Sequence, residues 1–177
     1  IDPSRDFDFS ISNISFIVDN QTRDPMELVI GENVTINATL NITNRANRGG
    51  IAEVGFYLKF DEKLNKECIK KLNKEYIIVE FDANRTYQDK FVNFTWHIDV
   101  VGNPTLIAVA DPENLTVEMD EGNNATYLPV HVRASDFVVT GLDMLNETEE
   151  GEPVSIHVII ANRGEKNESN VTVMLCD

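Results

Sequence analysis

Asn33-Val-Thr-Ile-Asn-Ala-Thr-Leu-Asn-Ile-Thr43 is the stretch that decides the fold. Val34, Ile36, Ala38, Leu40 and Ile42 occupy the even positions, and every odd position is Asn or Thr. Successive strand residues point to opposite sides of a sheet, so the stretch predicts a strand with one apolar and one polar face. The polar face is built of Asn-x-Thr triplets, the acceptor pattern for N-glycosylation. Asn is depleted in strands, so three of them four residues apart on one face need a reason beyond local structure. At about 3.3 Å per residue they stand roughly 13 Å apart, which leaves room for a sugar on each.

The triplet recurs through the chain. With x other than proline it occurs at Asn13, Asn20, Asn33, Asn37, Asn41, Asn84, Asn93, Asn114, Asn124, Asn146, Asn167 and Asn170, twelve of the nineteen asparagines. Random placement would give about two. Turn-loving Asn and strand-loving Thr produce some such pairs unaided, but they do not produce the run at 33–43. The excess predicts a glycoprotein, extracellular and exposed at a cell surface, with N-linked glycans among its partners.

Alternation of period two also recurs. Ile14, Phe16 and Val18 follow it, as do Val92, Phe94, Trp96, Ile98 and Val100. Further runs are Leu115, Val117 and Met119, then Val154, Ile156, Val158 and Ile160, then Val171, Val173 and Leu175. Short alternating runs separated by Asn, Gly, Asp and Pro turns predict an all-β, antiparallel sandwich. Asp61–Glu75 breaks the pattern: Leu64, Cys68 and Leu72 sit at helical spacing among five lysines, which predicts a short inserted helix near 62–74. Its basic faces either solvate the helix or dock another subunit.

Composition limits the function. The chain has 177 residues, 42% hydrophobic and 25% charged, which fits a globular protein of one domain and a fragment. A net charge of −15 argues against a nucleic-acid or anionic-membrane partner, since both select clustered positive charge. No apolar run approaches the roughly 20 residues of a bilayer span, and any signal peptide or anchor is expected outside this segment. Cys68 and Cys176 are either a disulfide or two separate thiols.

The chain repeats itself. Asp8-Phe-Ser-Ile-Ser-Asn-Ile lines up with Asp136-Phe-Val-Val-Thr-Gly-Leu, Gly31-Glu-Asn-Val-Thr-Ile with Gly151-Glu-Pro-Val-Ser-Ile, and Asn44-Arg45 with Asn162-Arg163. Val54–Leu58 lines up with Val171–Leu175. Two domains are therefore expected: a complete sandwich over 1–133 and the first strands of a second, incomplete copy over 134–177.

Gly102-Asn-Pro-Thr-Leu-Ile-Ala-Val-Ala-Asp-Pro-Glu-Asn-Leu-Thr-Val-Glu-Met-Asp-Glu-Gly-Asn-Asn124 resembles the closing hairpin of a CARDB domain, the cell adhesion related domain found in bacteria and common in archaeal surface proteins. The opening of the second copy is similar to the same family's first strands. The resemblance implies an immunoglobulin-like sandwich of about seven strands, used as a spacer or adhesion module. It implies no catalytic site.

Motifs for catalysis are absent from the sequence: there is no Gly-x-Ser-x-Gly, His-Glu-x-x-His, phosphate-cradling Gly-rich loop or Cys-x-x-Cys. No catalytic residue and no cofactor are expected. Glu118, Asp120 and Glu121, beside Asn123 and Asn124, are candidates for calcium, which takes hard oxygen ligands, but they lack the spacing of a calcium loop. The competing reading has them closing a turn. Two functions follow: a glycosylated structural repeat of an S-layer, stalk, filament or adhesin that contacts other copies of itself or related surface proteins, or a module that binds carbohydrate or protein. An incomplete second copy also suggests subunits that polymerise by strand donation, the alternative being a parent chain that continues.

Overall fold

The computed structural model describes residues 6–60, 68–144 and 151–174. The chain divides into two compact units, Ile1–Val132 and Arg133–Asp177. The first unit is an all-β, antiparallel sandwich.

One sheet contains β1 (Phe7–Val18), β2 (Gln21–Arg23), β4 (Asn33–Asn44) and β8 (Tyr87–His97) in the order β2-β1-β4-β8, with β3 (Leu28–Val29) lying between β2 and β4 in sequence. The facing sheet centres on β5 (Gly50–Phe60). It takes β9 (Thr105–Ala110) and β10 (Ala125–Pro129) on one side, and β6 (Cys68–Lys71) and β7 (Ile77–Phe81) on the other. A short ladder joins β3 to β11 (Val132–Arg133).

β4 carries the predicted alternation throughout. Val34, Ile36, Ala38, Leu40 and Ile42 are buried, and each odd residue from Asn33 to Thr43 is at least partly open. β8 continues the same faces, with Val92 and Trp96 inside and Phe94 packed against Phe56 of the opposite sheet, ring centroids 5.9 Å apart. In β1 the inward parity changes from Phe7, Phe9 and Ile11 to Phe16, because a bulge shifts the register between Ser12 and Ser15. Asn13 supplies the left-handed backbone there, φ 52°, a conformation Asn tolerates better than most residues.

Three expectations fail. Cys68–Lys71, the second half of the expected helix, is a strand paired with Tyr57–Phe60, and residues 61–67 lie outside the described residues. An isolated helix of this length is marginal, whereas the β5 edge offers a ready ladder. There Lys70 pairs with Asp99, whose carboxyl this contact holds below the usual range, and the Lys71 ammonium lies 3.4 Å from the Tyr76 ring centroid.

Leu115, Val117 and Met119 form no strand. Asp111 accepts the N–H groups of Leu115 and Thr116, which turns the chain and leaves Leu115 77% exposed, while Glu118 goes inside. Val171 and Val173 are likewise exposed and outside any strand, and Leu175 lies outside the described residues.

Two interruptions in the ladders are bridged by side chains. Between β6 and β7 the edge of β5 has no strand opposite Gly55 and Phe56. Asn73 fills the gap: its Oδ1 accepts from Phe56 N–H at 2.8 Å, and its Nδ2 donates to the carbonyls of Val54 and Glu75. Along β1, the Glu118 carboxylate accepts from Phe9 N–H at 2.5 Å and Met119 N–H donates to the Phe7 carbonyl.

The second unit contains β12 (Phe137–Met144) and β13 (Ile156–Asn162), paired antiparallel. It reproduces details of β1 and β4. Gly31 and Gly151 both have positive φ, 83° and 93°. Asn44 Nδ2 donates to the Arg48 carbonyl and Asn162 Nδ2 to the Lys166 carbonyl. Arg45 N–H donates to the Asp6 carbonyl and Arg163 N–H to that of Asp136, both at 2.7 Å. The hairpin register thus equates Asp136 with Asp6, two residues from the sequence alignment with Asp8, a slip that preserves which side chains share a face. Val139, Leu142, Met144 and Ile159, unlike the buried apolar residues of β1 and β4, are exposed.

Candidate functional site

The outer face of the β2-β1-β4-β8 sheet gathers acceptor asparagines from separate parts of the chain. Asn33, Asn37 and Asn41 lie along β4, and the β4–β8 register sets Asn93 directly opposite Asn37. Asn33 Oδ1 is 3.0 Å from His97 Nδ1, and Asn41 accepts from the Ser12 hydroxyl and donates to Asp89. These contacts lie at or near the surface, and none of the four side chains is buried.

The remaining acceptors divide by what the backbone asks of them. Asn13, Asn20, Asn114 and Asn170 have φ between 51° and 62°, so their identity has a conformational reason apart from any sugar. Asn84 and Asn167 are exposed, and Asn146 lies outside the described residues. Asn124 is only 9% exposed, and its Nδ2, the atom a glycan would take, donates to Glu118 Oε1 at 2.9 Å.

The parity that reveals β4 also marks two aromatic residues on the outward face of β8. Tyr87 and Phe91 occupy odd, outward positions of β8 and are 73% and 85% exposed. An aromatic residue at an odd position, out of step with the apolar even ones, is the signal in the sequence that marks them.

Glu118, Asp120 and Glu121 come together at one loop as hydrogen-bond acceptors. Glu118 is 5% exposed, with Phe9 N–H on one oxygen and Asn124 on the other. Glu121 Oε1 accepts from Glu118 N–H, and Asp120 Oδ1 from Gly122 N–H. Among the described residues no group of three or more His, Cys, Asp or Glu side chains is placed to hold a metal ion. Cys68 opens β6, and Cys176 lies outside the described residues.

Burial pushes the Glu118 carboxyl up to about 7, against the pull of its two hydrogen bonds. The folded chain therefore holds a proton that an unfolded Glu gives up near pH 4.5, so stability is gained as pH falls from about 7 towards 4.5 and lost as it rises. Glu118→Gln removes the titration and still accepts from Phe9. Its amide donor can meet Asn124 Oδ1, which is buried without a partner, once that amide turns. Urea unfolding at pH 5 and pH 7.5 should show the parent chain losing on the order of 2 kcal/mol over that interval relative to Glu118→Gln. Parallel pH profiles would contradict this account of the loop.

An open cleft of about 540 Å³ lies beside this loop, walled by Phe7, Phe9, Phe81, Leu115 and Val117. Its one ionisable lining residue is Arg48, whose guanidinium lies 5.0 Å from the Phe7 ring centroid. No helix among the described residues is long and apolar enough to cross a membrane.

The model of the CARDB family matches residues 13–127. The chain belongs to the CARDB family. CARDB is a cell adhesion related domain family, and its match ends within β10, close to the end of the first unit.

Among solved structures, a CARDB domain from Pyrococcus furiosus determined by NMR is 16% identical, with a TM-score of 0.45, over 72% of this chain and 96% of that one. A crystal structure of the same Pyrococcus domain, in complex with di-metal ions, is 19% identical over 71% and 93%, with a TM-score of 0.43. A β-glucosidase from Listeria innocua is 16% identical, with a TM-score of 0.44, over 71% of this CARDB chain and 16% of the enzyme. Among curated proteins none matches the chain.

Proposed function

We propose that this chain is a non-catalytic, heavily N-glycosylated extracellular repeat module of an archaeal-type cell-surface protein, a spacer and assembly unit of an S-layer, stalk, filament or adhesin. The observation that carries the reading is the two-sidedness of β4: one side packs the core, and the other sets Asn33, Asn37 and Asn41 outward, with Asn93 beside them. None of the four has a positive φ that would explain its identity. Sugars on this face would sheathe the sandwich without entering its core. Membership of an adhesion-related family supports the surface location.

Residues 134–177 are read as the opening of a second CARDB-like repeat, on the strength of the matched glycines, asparagine caps and hairpin register. Strand donation between subunits is a second reading, favoured by the exposed apolar side chains of β12 and β13. A monodisperse folded monomer in sedimentation of the chain would count against it.

The proposal is tested by the intact mass of natively produced protein before and after removal of N-glycans. Loss of several glycan masses on that treatment is the expected result. A native mass that the treatment leaves unchanged would overturn it.

A further inference from the structure

Phe91 is unburied on the outer face of β8, and what surrounds it is specific. The odd residues of β8 place Phe91, Asn93 and Thr95 in succession on that face, so the aromatic ring, the acceptor and the hydroxyl residue of one triplet are in line. Phe91 lies directly opposite Thr39, which is itself opposite Ser12 of β1. The ring therefore stands beside the Thr39 side chain, with Asp89 and Asn93 before and after it on the same face of β8. Of the twelve acceptors, Asn93 alone has an aromatic residue two places before it.

We propose that Phe91 is the stacking platform for the first sugar of an N-linked glycan on Asn93, an inference that rests on the glycosylation proposed above. Alternate residues on one strand face are about 7 Å apart, within reach of a sugar ring that folds back from the Asn side chain along the strand. A hexose or N-acetylhexosamine ring presents a face of axial C–H bonds, weakly positive and apolar, to the negative face of the phenyl ring. Folding back towards Phe91 also resolves a crowding problem. Asn37 and Asn93 are directly paired, with Cβ atoms about 5 Å apart, and a sugar drawn along β8 leaves the space above Asn37 free.

The test compares the parent chain, Phe91→Ser, Asn93→Gln and the double variant, each made in a glycosylating source and in a bacterial host without N-glycosylation. Glycopeptide mass establishes which asparagines carry sugar, and thermal unfolding supplies the coupling. Phe91→Ser should lower Tm by about 3 °C more when Asn93 is glycosylated than when it is bare, and this extra loss should vanish in the Asn93→Gln background. An equal shift with and without the sugar overturns the stacking and leaves the glycosylation reading standing. A bare Asn93 beside a modified Asn33, Asn37 or Asn41 has the same result, and no sugar on any of them overturns both. If Phe91→Ser turns an oligomer into a monomer by sedimentation, the face is a contact between copies and this inference fails.

Discussion

A Leu40→Asp chain should not fold, whereas Thr39→Asp, one residue away, should fold with a loss of only about 1 kcal/mol relative to the parent when both are made without sugars. Leu40 is fully buried between the sheets and Thr39 faces outward. Removing the leucine side chain alone costs about 2–5 kcal/mol. An unpaired carboxylate in its place adds several more. Together these rival the whole stability of a domain, about 5–15 kcal/mol. Circular dichroism and urea unfolding of the two variants read the difference directly. Equal tolerance at both positions would contradict the assignment of the two faces.

Asn73→Ala should destabilise the first unit by about 3 kcal/mol, with Tm falling by roughly 10 °C. The residue is 3% exposed and acts as a missing piece of strand along β5. Alanine leaves the Phe56 N–H and the Val54 carbonyl without their partner in a buried place, and each such group costs about 1–3 kcal/mol. Asn73→Asp restores only the acceptor and adds a charge, so it should not rescue the loss. Unfolding within about 0.5 kcal/mol of the parent would show that the gap opposite Gly55 and Phe56 is closed by something other than this side chain.

The residues that were legible in sequence share one property: regular period over many positions. β4 and β8 could be read from parity alone because the sheets bury one face along the whole strand. Wherever a side chain substitutes for backbone, parity misleads. Leu115 and Val117 obey the pattern of a strand, yet Asp111 bends the chain at their N–H groups and the carboxylate of Glu118 takes the inward place. Asn73 has no periodic signature, since its role depends on a gap between β6 and β7 that only the folded topology creates. Cys68–Lys71 shows tertiary pairing overriding a local helical spacing.

The acceptor face was legible for the same reason as the core, because it is the other half of the same alternation. What parity could not give was the sorting of the acceptors. The positive φ at Asn13, Asn20, Asn114 and Asn170 and the burial of Asn124 depend on turns and loop packing, and the pairing of Asn37 with Asn93 depends on strand order.

Site-resolved glycopeptide mapping of the natively produced protein tests the central claim most directly. The account predicts sugar on Asn33, Asn37 and Asn41 and none on Asn124, whose Nδ2 is held inside by Glu118. Unmodified peptides at all three β4 positions, or a modified Asn124 in the folded protein, would contradict it.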